Sequence, residues 1–444
     1  MSDNAADLDR RFVWHPFTQM KDWLGRQPIV IRAGKGATLT DTKGREYLDA
    51  NSSIWTNLHG HAHPKMNRAL QQQLRKIAHS SALGLANEPA SLLAKKLIDA
   101  AVLPERTRAS PARSSGLRKV FFSDDGSTAM EVALKLAYEF ARRVRRTPRP
   151  KFLSLQGAYH GDTVGAVSLG HIDLFHQSYR PLLFKTDATP APYCYRCPHN
   201  RAAPERRDAR EYRKCDWECL DTLERKFTTQ KKRGNPYAAF VFEPLMQGAA
   251  GMIAQPQGWL RQAAEIGRRH GAQLIADEVM TGFGRAGSQV RNESTASSSQ
   301  RVDASSPSLF ATHREGVQPD FMALAKGLTG GYLPMAATLT TQEVFDAFLG
   351  EYEEFKTFFH GHSYTGNQLG AAAGVASMEL LGSEPSIAAR RRLEEWLRTE
   401  LQSLWSLPNV GDIRQVGLMA GIELVRNWKT KEAYDLGERS GIRV

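Results

Sequence analysis

Three short stretches hold residue types that could do chemistry together. In "LIADEVMTGFGR" (274–285) an apolar run that reads as a buried strand ends in two adjacent carboxylates, Asp277 and Glu278. An unpaired charge inside a parallel sheet is costly or shifts its pKa, so at least one acid needs a partner. Side chains alternate along a strand, which puts Asp277 and Val279 on one side and Glu278, more suited to a structural role, on the other. In "FMALAKGLTGGYLP", Lys326 follows a second apolar strand and precedes glycine-rich backbone. Either its ammonium escapes to solvent, or it stays in an apolar site with a lowered pKa and can form a Schiff base with an aldehyde. In "FFSDDGSTAMEVALKLAYEF" a strand passes through a small polar turn into a helix. The N–H groups of Gly126, Ser127 and Thr128 would sit at the helix start, either as an anion cradle suited to phosphate or as an ordinary capping turn.

Phosphate turn, aspartate and lysine, in that chain order, are together the protein's side of a pyridoxal phosphate site. Asp277 would pair with a protonated ring nitrogen while Val279 packs on the ring. Tyr159 and His160 in "GAYHGDT" could lay an aromatic over the ring, against the plainer reading of a packed loop tyrosine. Glu243, ending "AFVFE" before Pro244, could hydrogen-bond near the ring hydroxyl, and Ser363 in "HGHSYTGN" offers a hydroxyl for phosphate.

The elements that must position these residues read as an α/β domain. From about 120 to 340, the apolar runs "KVFFS", "KFLSL", "AAFVFEP", "AQLIADEV" and "FMALAKG" alternate with helical periodicity. That pattern predicts a mostly parallel sheet between helices, with ligands at the carboxyl ends of its strands. Residues 1–65 form an irregular N-terminal segment with a hairpin around 42–44, assigned to a smaller α+β domain. Residues 66–349 form the large domain, with a cysteine insertion at about 190–220 and a Ser-rich, loop-like insertion at about 290–309. Residues 350–444 form a C-terminal domain: a loop, a long helix over 367–381, a basic helix and the segment "DIRQVGLMAGIEL".

Composition narrows the function classes. A chain of 444 residues with 41% hydrophobic content can bury a large core. No uncharged apolar run nears the ~20 residues of a spanning helix, and the polar start is unlike a secretion signal, so a cytoplasmic location is expected. The net charge of +12 is spread over separate runs without aromatic interleaving, which argues for solvated faces over a nucleic-acid site. Cys194, Cys197, Cys215 and Cys219 form C-x2-C and C-x3-C pairs near zinc-site spacing; free thiols, a zinc clip and disulfides are the alternatives.

The chain resembles the class III aminotransferases, in the fold-type I group of pyridoxal phosphate enzymes. The resemblance spans nearly the whole chain through "SSIWTNLHGHAHP", "SDDGSTAMEVALK", "YHGDTVGAVSLG", "EPLMQGAAGM", "IADEVMTGFGR", "AKGLTGGYLPMAATLTT" and "FFHGHSYTGNQL". "WHPFTQM" (14–20) and the "IW" pair narrow it to the branch that converts 8-amino-7-oxononanoate to 7,8-diaminononanoate in biotin biosynthesis. It implies that Lys326 binds the cofactor aldehyde and later moves the substrate proton, that Asp277 keeps the ring nitrogen protonated, and that Gly126 and Ser127 hold the phosphate. Ser363 would reach that phosphate from the neighbouring subunit of a homodimer. Tyr159 would stack on the ring, and Phe17, Trp55, Tyr159 and Gly361 would line the substrate pocket.

Phe17 and Ile54 stand where S-adenosylmethionine-using members have tyrosine and tryptophan. "PFTQM" is shared with a branch that uses L-lysine, so both amino donors stay open. The resemblance also implies a further segment after the position of Val444, with an arginine for the substrate carboxylate; Arg443 lies too early for that role. A truncated, inactive homologue is therefore one alternative. Another class III ω-aminotransferase, acting on a diamine or ω-amino acid, and a zinc-stapled binding protein are the others.

Overall fold

The structure is a computed structural model that describes residues 4–103, 116–287, 308–438 and 441. Nearly all of the Ser-rich insertion, and Arg443, lie outside those residues. Near the N-terminus, β1 (Ile31–Lys35), β2 (Thr38–Asp41) and β3 (Glu46–Leu48) form an antiparallel sheet. The β2–β3 turn is the hairpin expected around 42–44. Its shape comes from the Asp41 carboxylate, which accepts the N–H groups of Lys43 and Arg45, both at 2.9 Å.

The large sheet contains β4 (Leu117–Ser123), β5 (Lys151–Leu155), β6 (Asp187–Thr189) and β7 (Tyr237–Phe242). A two-stranded ribbon, β8 (Met246–Gln247) and β9 (Ile253–Ala254), precedes its remaining strands, β10 (Gln273–Asp277), β11 (Phe321–Leu324) and β12 (Ala336–Thr341). The order across the seven strands is β4-β12-β11-β10-β7-β5-β6, and only β12 runs against its neighbours. Every residue of β7, β10 and β11 is buried, which is why these strands read as unbroken apolar runs instead of alternating ones. Phe240, Phe242 and Leu274 pack one face against Trp259 and Leu260 of the helix Trp259–Arg269. Ala239, Val241 and Ile275 pack the other against Met130 and Ala133 of the helix Gly126–Arg143. The interleaved registers put both helices on the sheet and all the parallel strand ends on one side.

β6 and β12 were not anticipated. β6 is three residues long. β12 carries buried threonines, which hide its burial in the sequence: Thr338 Oγ1 donates to Ala129 O at 2.7 Å and Thr340 Oγ1 to Asp320 O at 3.2 Å.

In the C-terminal part, the helix Gln368–Leu381 starts at Asn367, whose side chain accepts the N–H of Gly370. The helix Glu384–Ser403 follows, then β13 (Val410–Val416), β14 (Met419–Asn427) and β15 (Glu432–Ala433). Gly417, at φ +61, turns the β13–β14 hairpin; a Cβ there would lie 2.2 Å from Ala286 C, so only glycine lets the hairpin tip dock beside Arg285.

One buried arginine joins this hairpin to the cysteine insertion. Arg414 Nη1 reaches Asp412 at 3.1 Å and Glu423 at 3.0 Å, while its other nitrogens donate to Met252 O at 2.9 Å and Gly251 O at 2.7 Å. From the insertion, Tyr193 and Arg196 donate to Glu423, and the Ala209 N–H donates to Asp412 at 3.0 Å. The four cysteines are free thiols, and burial pushes Cys194 up to about 12 and Cys219 to about 11. Among the described residues no three His, Cys, Asp or Glu gather to hold a metal. No described helix is long and apolar enough to cross a membrane.

Candidate active site

Asp277 is the last residue of β10 and 5% exposed. Its Oδ2 lies 2.7 Å from His160 Nδ1, and its Oδ1 accepts the Val279 N–H at 3.0 Å. Burial would lower the pKa of His160, but the bond to Asp277 and the charges of Asp277 and Glu243 carry it above the usual imidazole range. The ring's other nitrogen is buried without a hydrogen-bond partner among the described residues. His160 is thus a support for the aspartate and not the ring-stacking group considered from its loop position. Only the strand order, with β5 two places from β10, brings it there.

Glu243 follows β7 and is buried; its oxygens accept the N–H groups of Tyr159 at 3.2 Å and Gly248 at 2.8 Å. Burial pushes its carboxyl up to about 7, with His160 opposing and Asp277 adding to the shift. Glu278, pointing the other way as alternation requires, accepts four hydrogen bonds from Thr281, Ala311 and Thr312, at 2.6 to 3.0 Å. It anchors the chain that leads into β11.

Lys326 follows β11, the neighbour of β10, in which Asp277 stands opposite Ala323. Its Nζ lies 4.6 Å from the centre of the Trp55 ring. Burial holds its pKa below the ordinary lysine range, outweighing the attraction of Asp277 and Glu243, and Arg285 adds to the lowering. Trp55 closes an unusual turn: Ser52, Ser53, Ile54 and Trp55 have φ of +53, +49, +60 and +61. The left-handed region costs each non-glycine residue roughly 1–2 kcal/mol, so the turn stands only because its surroundings hold it. Arg285 is one support, donating through Nη2 to Trp55 O at 2.6 Å and Asn57 O at 3.4 Å. Burial alone pushes this guanidinium down to about 10, and no described carboxylate lies within ion-pair reach of it.

The turn before the helix Gly126–Arg143 is a capping box in which Asp125 accepts the Thr128 N–H at 2.8 Å. That removes Thr128 from the cradle and leaves the backbone donors of Gly126 and Ser127. A Cβ on Gly126 would sit 2.8 Å from Val279 Cγ1, so glycine lets the turn lie directly on Val279, which follows β10 in a turn and donates its N–H to Asp277. Ser127 Oγ accepts the Asp162 N–H at 3.1 Å. A two-donor anion cradle, a valine flank, a buried carboxylate and a buried amine on neighbouring strand ends fit the phosphate, ring face, ring nitrogen and aldehyde of pyridoxal phosphate.

Tyr159 borders this cluster, its hydroxyl donating to Asp162 at 2.6 Å; burial and that bond raise its pKa. Its ring meets Phe17 at 6.5 Å, Phe175 at 6.3 Å and His176 at 6.3 Å. Phe17 is 70% exposed and forms the outer rim. Ser363 and Gly361 are exposed and stand apart: the loop's link to the phosphate turn is His362, 3.4 Å from Asp124.

The chain belongs to the class-III aminotransferase family, whose model matches residues 20–294 and 304–444. Enzymes of this class are pyridoxal phosphate-dependent transaminases with the fold-type I architecture seen here. The sequence is 47% identical over 443 residues to the adenosylmethionine-8-amino-7-oxononanoate aminotransferase of Geobacter sulfurreducens, covering 100% of this chain and 88% of that one. It is 43% identical over 436 residues to the protein of the same name in Aquifex aeolicus, covering 98% and 86%. The solved structure of the same-named protein of Methanocaldococcus jannaschii has a TM-score of 0.82 at 37% identity, covering 99% of this chain and 88% of that one. An ω-transaminase from Pseudomonas jessenii, solved in complex with PMP, also reaches 0.82, at 25% identity and covering 98% and 86%.

Proposed function

We propose that this enzyme transfers an amino group to 8-amino-7-oxononanoate, forming 7,8-diaminononanoate for biotin synthesis, with S-adenosylmethionine or L-lysine as donor. The observation that carries the chemistry is the pairing of strand ends: Lys326 after β11, its amine held below the usual lysine range, beside Asp277 at the end of β10. The full-length identity to the Geobacter sulfurreducens protein supports the choice of acceptor.

Bound here, pyridoxal phosphate supplies the electron sink that lets a proton leave the amine-bearing carbon. Asp277 would stabilise the proton on the ring nitrogen, with His160 holding Asp277 in place. Gly126 and Ser127 would donate their N–H groups to the phosphate, and Val279 and Tyr159 would bound the ring. Lys326 Nζ would hold the cofactor aldehyde and, when free, would move the proton from the amine-bearing carbon to the cofactor carbon; burial, which holds its pKa below the ordinary lysine range, favours the neutral amine that this needs. Trp55 and Phe17 would line the substrate pocket, with Gly361, which stands apart in the single chain, joining it in the assembled enzyme.

We assign residues 1–65 and 350–444 to the smaller domain and 66–349 to the larger. We also place the enzyme in the cytoplasm as a homodimer, with Ser363 serving the neighbouring subunit's phosphate. Incubating the purified chain with 8-amino-7-oxononanoate and each donor in turn, with mass detection of the diamine, tests the reading. Turnover of simple ω-amines with neither donor supporting diamine formation would overturn it in favour of a general ω-aminotransferase.

A further inference from the structure

The left-handed turn over 52–55 is the least relaxed backbone near the candidate site. It contains Ile54, a β-branched residue that rarely adopts this conformation. The turn closes on itself, with the Thr56 N–H donating to Ser52 O at 2.9 Å and the Asn57 N–H to the same oxygen at 3.0 Å. Two side chains hold it from below, Asn51, whose Oδ1 accepts the Ile54 N–H at 3.3 Å, and the Asp49 carboxylate. Asp49 accepts the Ser53 N–H at 2.7 Å through Oδ1, and through Oδ2 the Ser53 hydroxyl at 2.8 Å, with His61 Nε2 at 2.9 Å. His61 is fixed in turn by backbone bonds exchanged with Gly36, at 2.8 and 3.0 Å. From above, Arg285 holds the carbonyl of Trp55. The turn is clamped at its second residue by Asp49 and at its fourth by Arg285, and the product of that clamping is the placement of the Trp55 ring beside Lys326.

We propose that Asp49 is a positioning residue: by gripping Ser53 it forces the turn left-handed and sets the Trp55 ring as a fixed apolar wall of the amine pocket. This rests on the reading of Lys326 as the cofactor-binding lysine. Asp49 touches neither Lys326 nor Trp55 by any described bond; its effect passes through four residues of strained backbone. A fixed wall contributes binding that is equal in ground and transition states, so its loss appears in KM. A merely structural carboxylate, when removed, lowers the active fraction and hence kcat at unchanged KM.

The test is a double-mutant cycle on the holoenzyme, using whichever amino acceptor the unsubstituted enzyme turns over. A wrong substrate assignment then shows in the parent, and a wrong positioning role only in the variants. Asp49→Asn is expected to raise KM about ten-fold with kcat within about three-fold, Trp55→Ala to do the same, and the double variant to add little. Should Asp49→Asn fail to fold, Ser53→Ala, deleting the hydroxyl contact alone, carries the same test with a smaller KM rise. A fall in kcat at unchanged KM, or additive effects in the cycle, would overturn the proposal.

Discussion

Arg414 and Arg285 are both buried, yet they sit in opposite surroundings. Arg414, at the joint between the cysteine insertion and the C-terminal hairpin, has two carboxylates and two carbonyls around it, and its pKa is raised. Arg285, beside the candidate site, has two carbonyls and no described acid, and burial pushes it down to about 10. The same chain that saturates one buried guanidinium leaves the other under-balanced. The contrast extends across the candidate site, which holds a lysine shifted down, a glutamate shifted up and an imidazole nitrogen without a partner among the described residues. A joint is built to be satisfied alone, whereas a reaction site keeps polar groups whose balance a cofactor or substrate completes.

That contrast can be broken experimentally at several points. Lys326→Ala should lower kcat by roughly 10⁴-fold in the diamine assay while leaving the urea midpoint almost unchanged, since the lysine belongs to the unbalanced region. Arg414→Met should do the reverse. It leaves the buried Asp412 without its cation, while Glu423 keeps Arg196, costing about 3–5 kcal/mol in denaturant unfolding, with little change in turnover per folded molecule. If Arg414→Met instead abolished turnover in fully folded protein, the division between joint and site would fail.

Glu243 gives a pH-dependent form of the same test. Its folded pKa of about 7 lies above the unfolded carboxyl value, so the folded state keeps the proton longer. Its destabilising effect is absent below the unfolded pKa, grows as pH rises, and is complete above about 7, at up to roughly 3 kcal/mol. Glu243→Gln should therefore flatten the loss of Tm between pH 5 and pH 8; an unchanged slope would show that the carboxyl is not held protonated. The smallest expected effect is that of Arg285→Met. Removing its charge relieves one of the influences lowering Lys326, so the acidic limb of the kcat profile, which reports the lysine released in the substrate complex, should move to higher pH, by on the order of one unit or less.

Much of the site was legible because strand ends leave strong marks. "LIAD", "FMALAK" and "VFE" each end an apolar run in one ionisable group, and β10, β11 and β7 deliver Asp277, Lys326 and Glu243 to one edge of the sheet. The hairpin at 42–44 and the helix opening at Asn367 were legible for local reasons, an Asx turn and an N-cap. What escaped depends on chain segments distant in sequence. His160 meets Asp277 only because β5 lies two places from β10, and Arg285 is buried only because the β13–β14 tip docks on 285–287. The four consecutive left-handed residues left no mark at all, since Ser-Ser-Ile-Trp contains no glycine to announce them. β12 stayed hidden because its threonines satisfy themselves on nearby carbonyls, and so need no apolar side chain to be buried.

The capping box at Asp125 bears on how the two anion donors are presented. Its carboxylate already takes the Thr128 N–H at the start of the helix Gly126–Arg143, and Thr128 Oγ1 accepts the N–H of Asp125 at 2.9 Å in return. The first turn of that helix is held by the chain's own side chains, which leaves the two donors nearest Val279 for an anion. The angle at which those two donors are presented is therefore set by the Asp125–Thr128 pair and not by the residues that donate.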